Sequence, residues 1–432
     1  MKLAVIGGGF SGVMLTRLLQ EKGYECHLYE KESSLGGLCR SKRIKNFIYD
    51  LSGGHMLYSK NEKTLEYIFN LTGKENWNKI SCNARIYFEG DYIRYPFEAG
   101  LIDLPKELHY ECLLGYINAS YERKYYHRGD PKNFYDWLLY MFGKGISSHF
   151  MIPFNQKKWN YNLKHINTDW VEDRVPSIPV EEVIKASIGI HTSACTDKLV
   201  LYYPEKGGFQ FLIEKTASNL KDIHLSTPVN DLKRQKNKWI INDTEVYDDI
   251  ISTVPLRELI HIIKNTPPFV TSTLESLWYN GVATVFVGLN KPFEHNYSWV
   301  YLPHKENGLC DTVTFLSNFS QYNAPAGAGS LVAEITYKAK TLPEKSETLV
   351  NTVLSSLETC KIIDKKDVIV TDSYFSPYGY PVYGLKYNEF KQIINNYLNE
   401  VRLKRFGRLA THSYYNVDTI IEKAFEFVEQ WY

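Results

Sequence analysis

Residues 2–41 read KLAVIGGGFSGVMLTRLLQEKGYECHLYEKESSLGGLCRS. Leu3–Ile6 is an unbroken apolar run, the pattern of a parallel strand covered on both faces. Glycines follow at once. In the series Gly7, Gly9, Gly12, the first permits a tight turn and the second lets a pyrophosphate approach the backbone. The third lets a helix pack closely on the strand. Phe10 and Ser11 open that helix, which is predicted to run to about Lys22 and to turn its positive end toward the phosphates. Val13, Leu15, Leu18 and Leu19 keep one helix face on the sheet, Gly23 ends it, and Glu25–Tyr29 forms the next strand. Glu30 stands about 20 residues beyond the glycines, where an acid accepts hydrogen bonds from ribose hydroxyls. Strand, turn, helix, strand and acid are in register, so the predicted class is α/β with a Rossmann-type dinucleotide-binding domain.

The rest of the chain has the composition of an ordinary globular protein. Its 432 residues are 44% hydrophobic and 23% charged, enough for a large core divided into two or three lobes. The formal charge is +1 with no long basic block, which argues against nucleic acid or an anionic membrane as the main partner. A small molecule is the expected ligand. Seven widely spaced cysteines without a C-x-x-C argue against a disulfide framework and a zinc site; no metal is expected. The N-terminus is already the first strand, and no apolar run of about 18 residues is present, so neither a cleaved signal nor a membrane span is expected and the location is read as cytoplasmic. Aromatic residues make up 14% of the chain, and those with a polar tip suit stacking on planar or sugar-like ligands.

After Glu30 come Lys31, a second glycine pair Gly36-Gly37, Leu38 and Arg40. Bare backbone N–H groups and a guanidinium fork match a diphosphate. This continuation resembles that of FAD-binding proteins of the amine oxidase, desaturase and pyranose mutase superfamily, which makes FAD the expected cofactor. The FAD-binding lobe is predicted in three pieces, residues 1–95, 196–265 and 385–432. Residues 96–195 form an inserted helical lobe, with NFYDWLLYMFGKGISSHFM giving an apolar face at helical spacing. Residues 266–384 form an antiparallel β-sheet substrate lobe, signalled by VATVFVGL, SWVYLP, TVTFLS and SLVAEITY. A cleft between lobes is the expected ligand site.

SGGHMLYS places Gly54 and His55 where backbone and imidazole can approach a planar ring. YIRYPFE, FMIPFNQKKWN and WVEDRVP interleave aromatics with Asn155 and Arg174, a face for a base and a fork for a diphosphate, or simply helix packing with a surface arginine. Over nearly its whole length the chain resembles the UDP-galactopyranose mutase family. The matches include Gly53-Gly54-His55, Tyr95-Pro96-Phe97, Phe142-Gly143, Pro153-Phe154-Asn155, Trp159, Trp170 with Arg174-Val175, and Gly207-Gly208. They continue with Tyr301, Ser317-Asn318, Gly379-Tyr380-Pro381, Gly407-Arg408-Leu409, Tyr414 and Asp418.

That resemblance implies covalent catalysis in which the reduced FAD is the nucleophile on the anomeric carbon of a nucleotide sugar and the protein is the clamp. It places Tyr95, Phe154, Asn155 and Trp159 on the nucleotide side and Arg174 on the diphosphate. Tyr301, Tyr380 and Tyr414 would donate hydroxyls to that diphosphate. Thr312 and Asn318 would line the substrate site, Arg408 and Asp418 would hold the flavin, and His55 would lie beside its ring. It further implies a role in polysaccharide biosynthesis and allows a homo-oligomer. Three positions depart from the family pattern: a second diphosphate arginine is replaced by Thr312, a tyrosine by Phe319, and an arginine before the last tyrosine by Ser413. Lys305 on the preceding loop is a candidate replacement cation. These departures favour a substrate other than UDP-galactose. Two other readings stay open: an oxidoreductase of the amine oxidase or desaturase type, and a non-catalytic nucleotide-sugar sensor.

Overall fold

A computed structural model describes residues 1–126, 129–171, 175, 178–190, 192, 199–338, 341 and 346–431. A five-stranded parallel sheet runs in the order Lys404–Arg405, Asp249–Ser252, Lys2–Ile6, Glu25–Tyr29, Ile223–His224. It takes strands from all three pieces of the expected dinucleotide lobe. Alternate residues of the first strand feed two different cores. Leu3 and Val5 pack with the helices Phe10–Glu21, Gln210–Ala217 and Val417–Glu429. Ala4 and Ile6 pack with Trp239, Ile241 and Leu256 under a small antiparallel sheet. Both faces are covered, which is why this strand is apolar at every position.

The second large sheet has seven strands in the order Val368–Val382, Trp278–Leu289, Gly329–Lys338, Thr312–Thr314, Trp299–Tyr301, Ala84–Phe88, Asp91–Arg94. Every pairing is antiparallel except that of Trp299–Tyr301 with Ala84–Phe88. The last two strands lie within residues 1–95, so the sheet lobe begins inside the segment expected to be purely dinucleotide-binding. Their partner is more than two hundred positions downstream, and nothing local in the chain marks such a pairing. Register sets Tyr301 opposite Thr312 and Thr312 opposite Glu334. Their neighbours Val300, Val313 and Ala333 point to the other face, into a core closed by Leu349, Val353 and Leu357 of helix Ser346–Thr359.

The helical lobe contains Lys106–Tyr125 and Phe134–Ile146, then a π-helical turn Ser147–Met151 that leads directly into Ile152–Trp159. Phe97, Phe134, Leu138, Phe142, Phe150 and Trp159 fill its core. Among the described residues, no helix is long and apolar enough to cross a membrane.

Candidate active site: a glycine cradle opening into an aromatic cleft

The opening motif forms a tight backbone cradle at the carboxyl end of the parallel sheet. A Cβ added to Gly12 would lie 1.8 Å from the Gly7 carbonyl oxygen, so only glycine fits there. A Cβ on Gly9 would meet nothing within 4 Å except Gly37 Cα at 3.9 Å, which leaves its backbone open to a ligand. Gly36 N–H donates to the Gly8 carbonyl at 2.8 Å, laying the second glycine pair against the first, with Leu38 half-buried in the turn Gly37–Cys39. Glu30 is buried; its two carboxylate oxygens accept from Gly8 N–H at 2.6 Å and Glu32 N–H at 2.9 Å. Lys31 beside it is exposed. Arg40 holds the loop in place, donating to the Gly37 carbonyl at 3.2 Å and to the Tyr374 hydroxyl at 3.2 Å. Phe10 is buried at the helix start, and Ser11 packs against Gly407. Asp418 lies in the first turn of Val417–Glu429, a helix that packs on Phe10–Glu21.

His55 follows the two glycines and is backed by a buried acid. Its Nδ1 is 3.0 Å from the Gly53 carbonyl, and its N–H donates to Asp50 Oδ2 at 3.4 Å. Asp50 also accepts from Ser41 Oγ at 2.6 Å, Phe209 N–H at 3.0 Å and the Tyr203 hydroxyl at 3.2 Å. Burial holds His55 below the usual histidine range and pushes Asp50 above the usual carboxylate range.

Beside Gly54 lies a cleft of about 530 Å³. One wall is the segment Phe150, Met151, Phe154, Asn155, Lys158, Trp159, whose spacing puts all six on one helical face. A second wall is the cleft-facing side of the seven-stranded sheet, with Trp299, Tyr301, Thr312, Thr314 and Glu334. Tyr95 and Tyr301 rings are 4.9 Å apart, Tyr301 and Phe154 5.1 Å, and Phe154 and Phe150 5.5 Å, giving a continuous aromatic surface. The third wall is Tyr380 and Tyr414, stacked 5.7 Å apart. The Arg408 guanidinium lies 4.6 and 4.3 Å from their ring centres, and its buried Nε has no hydrogen-bond partner among the described residues. A bare glycine turn and an orphaned buried arginine nitrogen beside a cleft fit a dinucleotide cofactor whose ring system reaches the cleft.

Most of the residues singled out from the sequence meet here. Tyr95, Phe154, Asn155, Trp159, Tyr301, Thr312, Tyr380 and Tyr414 all line the cleft, as does Gly54. Asn155 spends its amide within its own helix, donating to the Met151 carbonyl at 2.8 Å and accepting from Trp159 Nε1 at 3.2 Å. Asn318 does not line the cleft: it donates to the Tyr297 and His295 carbonyls at 2.8 and 3.2 Å and so secures a turn. Arg174 lies outside the described residues, between Trp170 and Val175, which both line the cleft. Lys305 sits on the turn Lys305–Asn307 and does not line the cleft.

Charged residues in and beside the cleft were missed from the sequence. Lys158 lies beside Thr312 through a shared partner: its Nζ is 2.8 Å from Asp311 Oδ1, 4.0 Å from Glu334 Oε2 and 5.0 Å from the Tyr380 ring centre. Thr312 Oγ1 donates to the same Asp311 oxygen at 2.8 Å. Burial alone would lower the Lys158 pKa, but Asp311, Tyr380 and Glu334 hold it well above the usual lysine value. Glu334 accepts from Gly54 N–H at 3.3 Å, and burial pushes its pKa up to about 7 against the pull of Lys158. Glu98 is also buried on the cleft wall and pushed up to about 7 by burial. Lys391 Nζ donates to Ser413 Oγ at 2.8 Å. Lys158 was findable, being four residues beyond Phe154 on the same helical face. Glu334 was visible as a charge inside the apolar strand pattern SLVAEITY. Asp311 carries no local signal.

Comparison with known proteins agrees with this architecture. The family model for flavin containing amine oxidoreductase matches residues 10–408. A crystal structure of reduced UDP-galactopyranose mutase superposes with a TM-score of 0.89 at 24% identity, covering 99% of this chain and 95% of that one. An uncharacterised protein encoded in the nifH2 3' region of Methanothermococcus thermolithotrophicus is 35% identical over 92 residues, 21% of this chain and 81% of that protein. A UDP-galactopyranose mutase of Mycoplasma pneumoniae is 32% identical over 66 residues, so the match spans only 15% of this chain and 16% of the mutase. A cradle for a dinucleotide, a cleft built against it and a family match over most of the length lead to one conclusion: the chain belongs to the flavin containing amine oxidoreductase family, on a fold shared with UDP-galactopyranose mutase.

Proposed function

We propose that this protein is an FAD-dependent nucleotide-sugar mutase acting on a substrate other than UDP-galactose. The observation that carries the reading is the cleft in which an aromatic nucleotide-sized wall meets Tyr301, Tyr380 and Tyr414, with Arg408 against the last two and its neighbour Gly407 packed on Ser11 of the cradle helix. Gly9, Gly12, Glu30, Gly37 and Arg408 would hold FAD. When bound in reduced form, FAD supplies a nucleophilic N5 and takes no net electrons. Tyr95, Phe154 and Tyr301 stack the base. Arg174, with Tyr301, Tyr380 and Tyr414, grips the diphosphate. Burial raises the pKa of Tyr301 and Tyr380, the latter to about 12, so both hydroxyls stay protonated and donate. At the Thr312 end Lys158 is a cation already balanced by Asp311, which makes that end less attractive to a second phosphate charge than a free arginine would be.

One observation favours a second reading, an oxidase acting on an amine: Glu98 and Glu334 put two buried carboxyls in the cleft, and these suit a cationic substrate. The two are separated by incubating the dithionite-reduced protein, without oxygen, with a panel of UDP-, GDP-, CDP- and dTDP-sugars. Interconversion of ring forms without change in flavin redox state is expected. Oxygen-dependent, stoichiometric peroxide formation with an amine, and no sugar interconversion, would overturn the mutase reading.

A further inference from the structure

We propose that Lys158 and Glu334 together hold one hydroxyl of the sugar, so that this part of the cleft takes a neutral hexose and rejects an amino or an acidic group at that position. The inference rests on the nucleotide-sugar reading of the cleft. Both residues line the cleft, with side chains 18% and 11% exposed. Asp311, at 2.8 Å, is the one hydrogen-bond partner of Lys158 Nζ among the described residues, so the ammonium keeps two N–H donors unspent there. Glu334 does not close onto it. Its Oε2 stands 4.0 Å from Nζ, beyond hydrogen-bond reach, while its Oε1 accepts from Gly54 N–H at 3.3 Å. Two contacts hold that gap open. Asp311, 1% exposed, draws Lys158 toward itself and also accepts from Thr312 Oγ1. Glu334 is set opposite Thr312 by strand register and is packed against Gly53, where an added Cβ would lie 2.4 Å from its carboxyl carbon.

A hydroxyl oxygen with bonds of about 2.8 Å to each side spans a 4.0 Å gap, accepting from the lysine and donating to the carboxylate. A group that does both at once is neutral. An ammonium in its place would stand against Lys158, and a carboxylate against Glu334. Asp311 already offsets the lysine charge, which weakens its pull on a phosphate and leaves a hydroxyl the better match. The location also suits the sugar. Gly54, bonded to Glu334, leads directly into His55, the residue expected beside the flavin ring, and the reacting carbon of the sugar has to meet that ring. Lys158 and Glu334 are therefore specificity-determining residues for the sugar.

The test is titration of UDP, GDP, CDP and dTDP, and of their glucose and galactose conjugates, into purified FAD-loaded protein, followed by the 2-, 3-, 4- and 6-deoxy analogues of the conjugate that binds. One deoxy position is expected to weaken wild-type binding by about tenfold or more, and the others by much less. In Glu334→Gln, and in the charge-balanced double variant Lys158→Met with Asp311→Asn, the penalty at that same position should fall to about threefold or less. The bare diphosphate should bind all three proteins alike. The proposal is overturned if no single deoxy position stands out, or if the penalty persists in variants that retain flavin. It is equally overturned if the double variant weakens the bare diphosphate as much as the conjugate, since Lys158 would then hold phosphate. The wild-type deoxy series alone decides if the variants do not fold. Failure of every diphosphate and conjugate to bind removes the nucleotide-sugar reading and this proposal with it, an outcome distinct from diphosphate binding that gains nothing from the sugar, which removes this proposal alone.

Discussion

The cradle and the cleft are built on opposite principles. In the cradle, function lies in the backbone: Gly7, Gly9 and Gly12 matter for the atoms they lack, and one short stretch of chain supplies strand, turn, helix and acid. In the cleft, function lies in side chains that arrive from far-separated segments. Lys158 comes from a helix, Asp311 from the loop before a short strand, Glu334 from the next strand over and Tyr380 from the far edge of the sheet. The cradle leaves little room for substitution, whereas the charge balance of the cleft is set by side chains from separate segments, as Lys158 and Thr312 meeting on the same Asp311 oxygen illustrate.

The sharpest test of this contrast is at Gly12. Any Cβ there collides with the Gly7 carbonyl, so Gly12→Val should give protein without flavin; absorbance near 450 nm per mole of protein is the readout. Flavin retained at wild-type level would show that the cradle is as tolerant as the cleft. Next in size is Lys158→Ala, which strands Asp311 and Glu334 in the interior. Removing one partner of a buried ion pair costs about 3–5 kcal/mol in urea unfolding, and Asp311→Asn in the same chain should recover part of it. Lys305→Ala, outside the cleft, should stay within about 0.5 kcal/mol of wild type. Equal effects of the two lysines would break the assignment of the cleft cation.

The smallest effect concerns pH. Glu334 keeps its proton in the folded protein up to about 7, against 4.5 ordinarily, so between those values the folded state binds more protons than the unfolded one. Stability therefore falls as pH rises from 4.5 to about 7, by at most about 1.4 kcal/mol per pH unit, and Glu98 adds a slope of the same sign. Glu334→Gln should flatten the profile of urea midpoint against pH in that window. A profile as steep as wild type would mean that Glu334 is already ionised there, paired with Lys158.

Much of this molecule was legible before any coordinates. The opening βαβ unit, the helices of 96–195 and the strand-rich segment 266–384 follow from periodicity and glycine placement, whereas the aromatic stretches that line the cleft were singled out through the family resemblance. What was misjudged is equally informative. Ala84–Phe88 and Asp91–Arg94 belong to the substrate sheet because Trp299–Tyr301 pairs with them, and Asn318 is spent on backbone carbonyls because the turn after Thr312–Thr314 folds back on Tyr297. Lys158 was passed over in favour of Lys305, which is nearer in sequence to Thr312 but does not line the cleft.

The sequence by itself determined the cradle, because a tight turn against a helix end is a local steric problem and its solution is written in adjacent glycines. It also determined which stretches would be helix or strand, through apolar spacing along a few turns or pleats. Only the tertiary structure decided what stands beside Thr312. Strand register aligns Tyr301, Thr312 and Glu334 in one row, and the helix Ile152–Trp159 then lowers Lys158 onto that row. Charge balance in a buried cleft depends on distances of a few ångströms between segments far apart in the chain. Electrostatic energy follows those distances and the surrounding burial, neither of which exists until the sheet and the helical lobe have packed together.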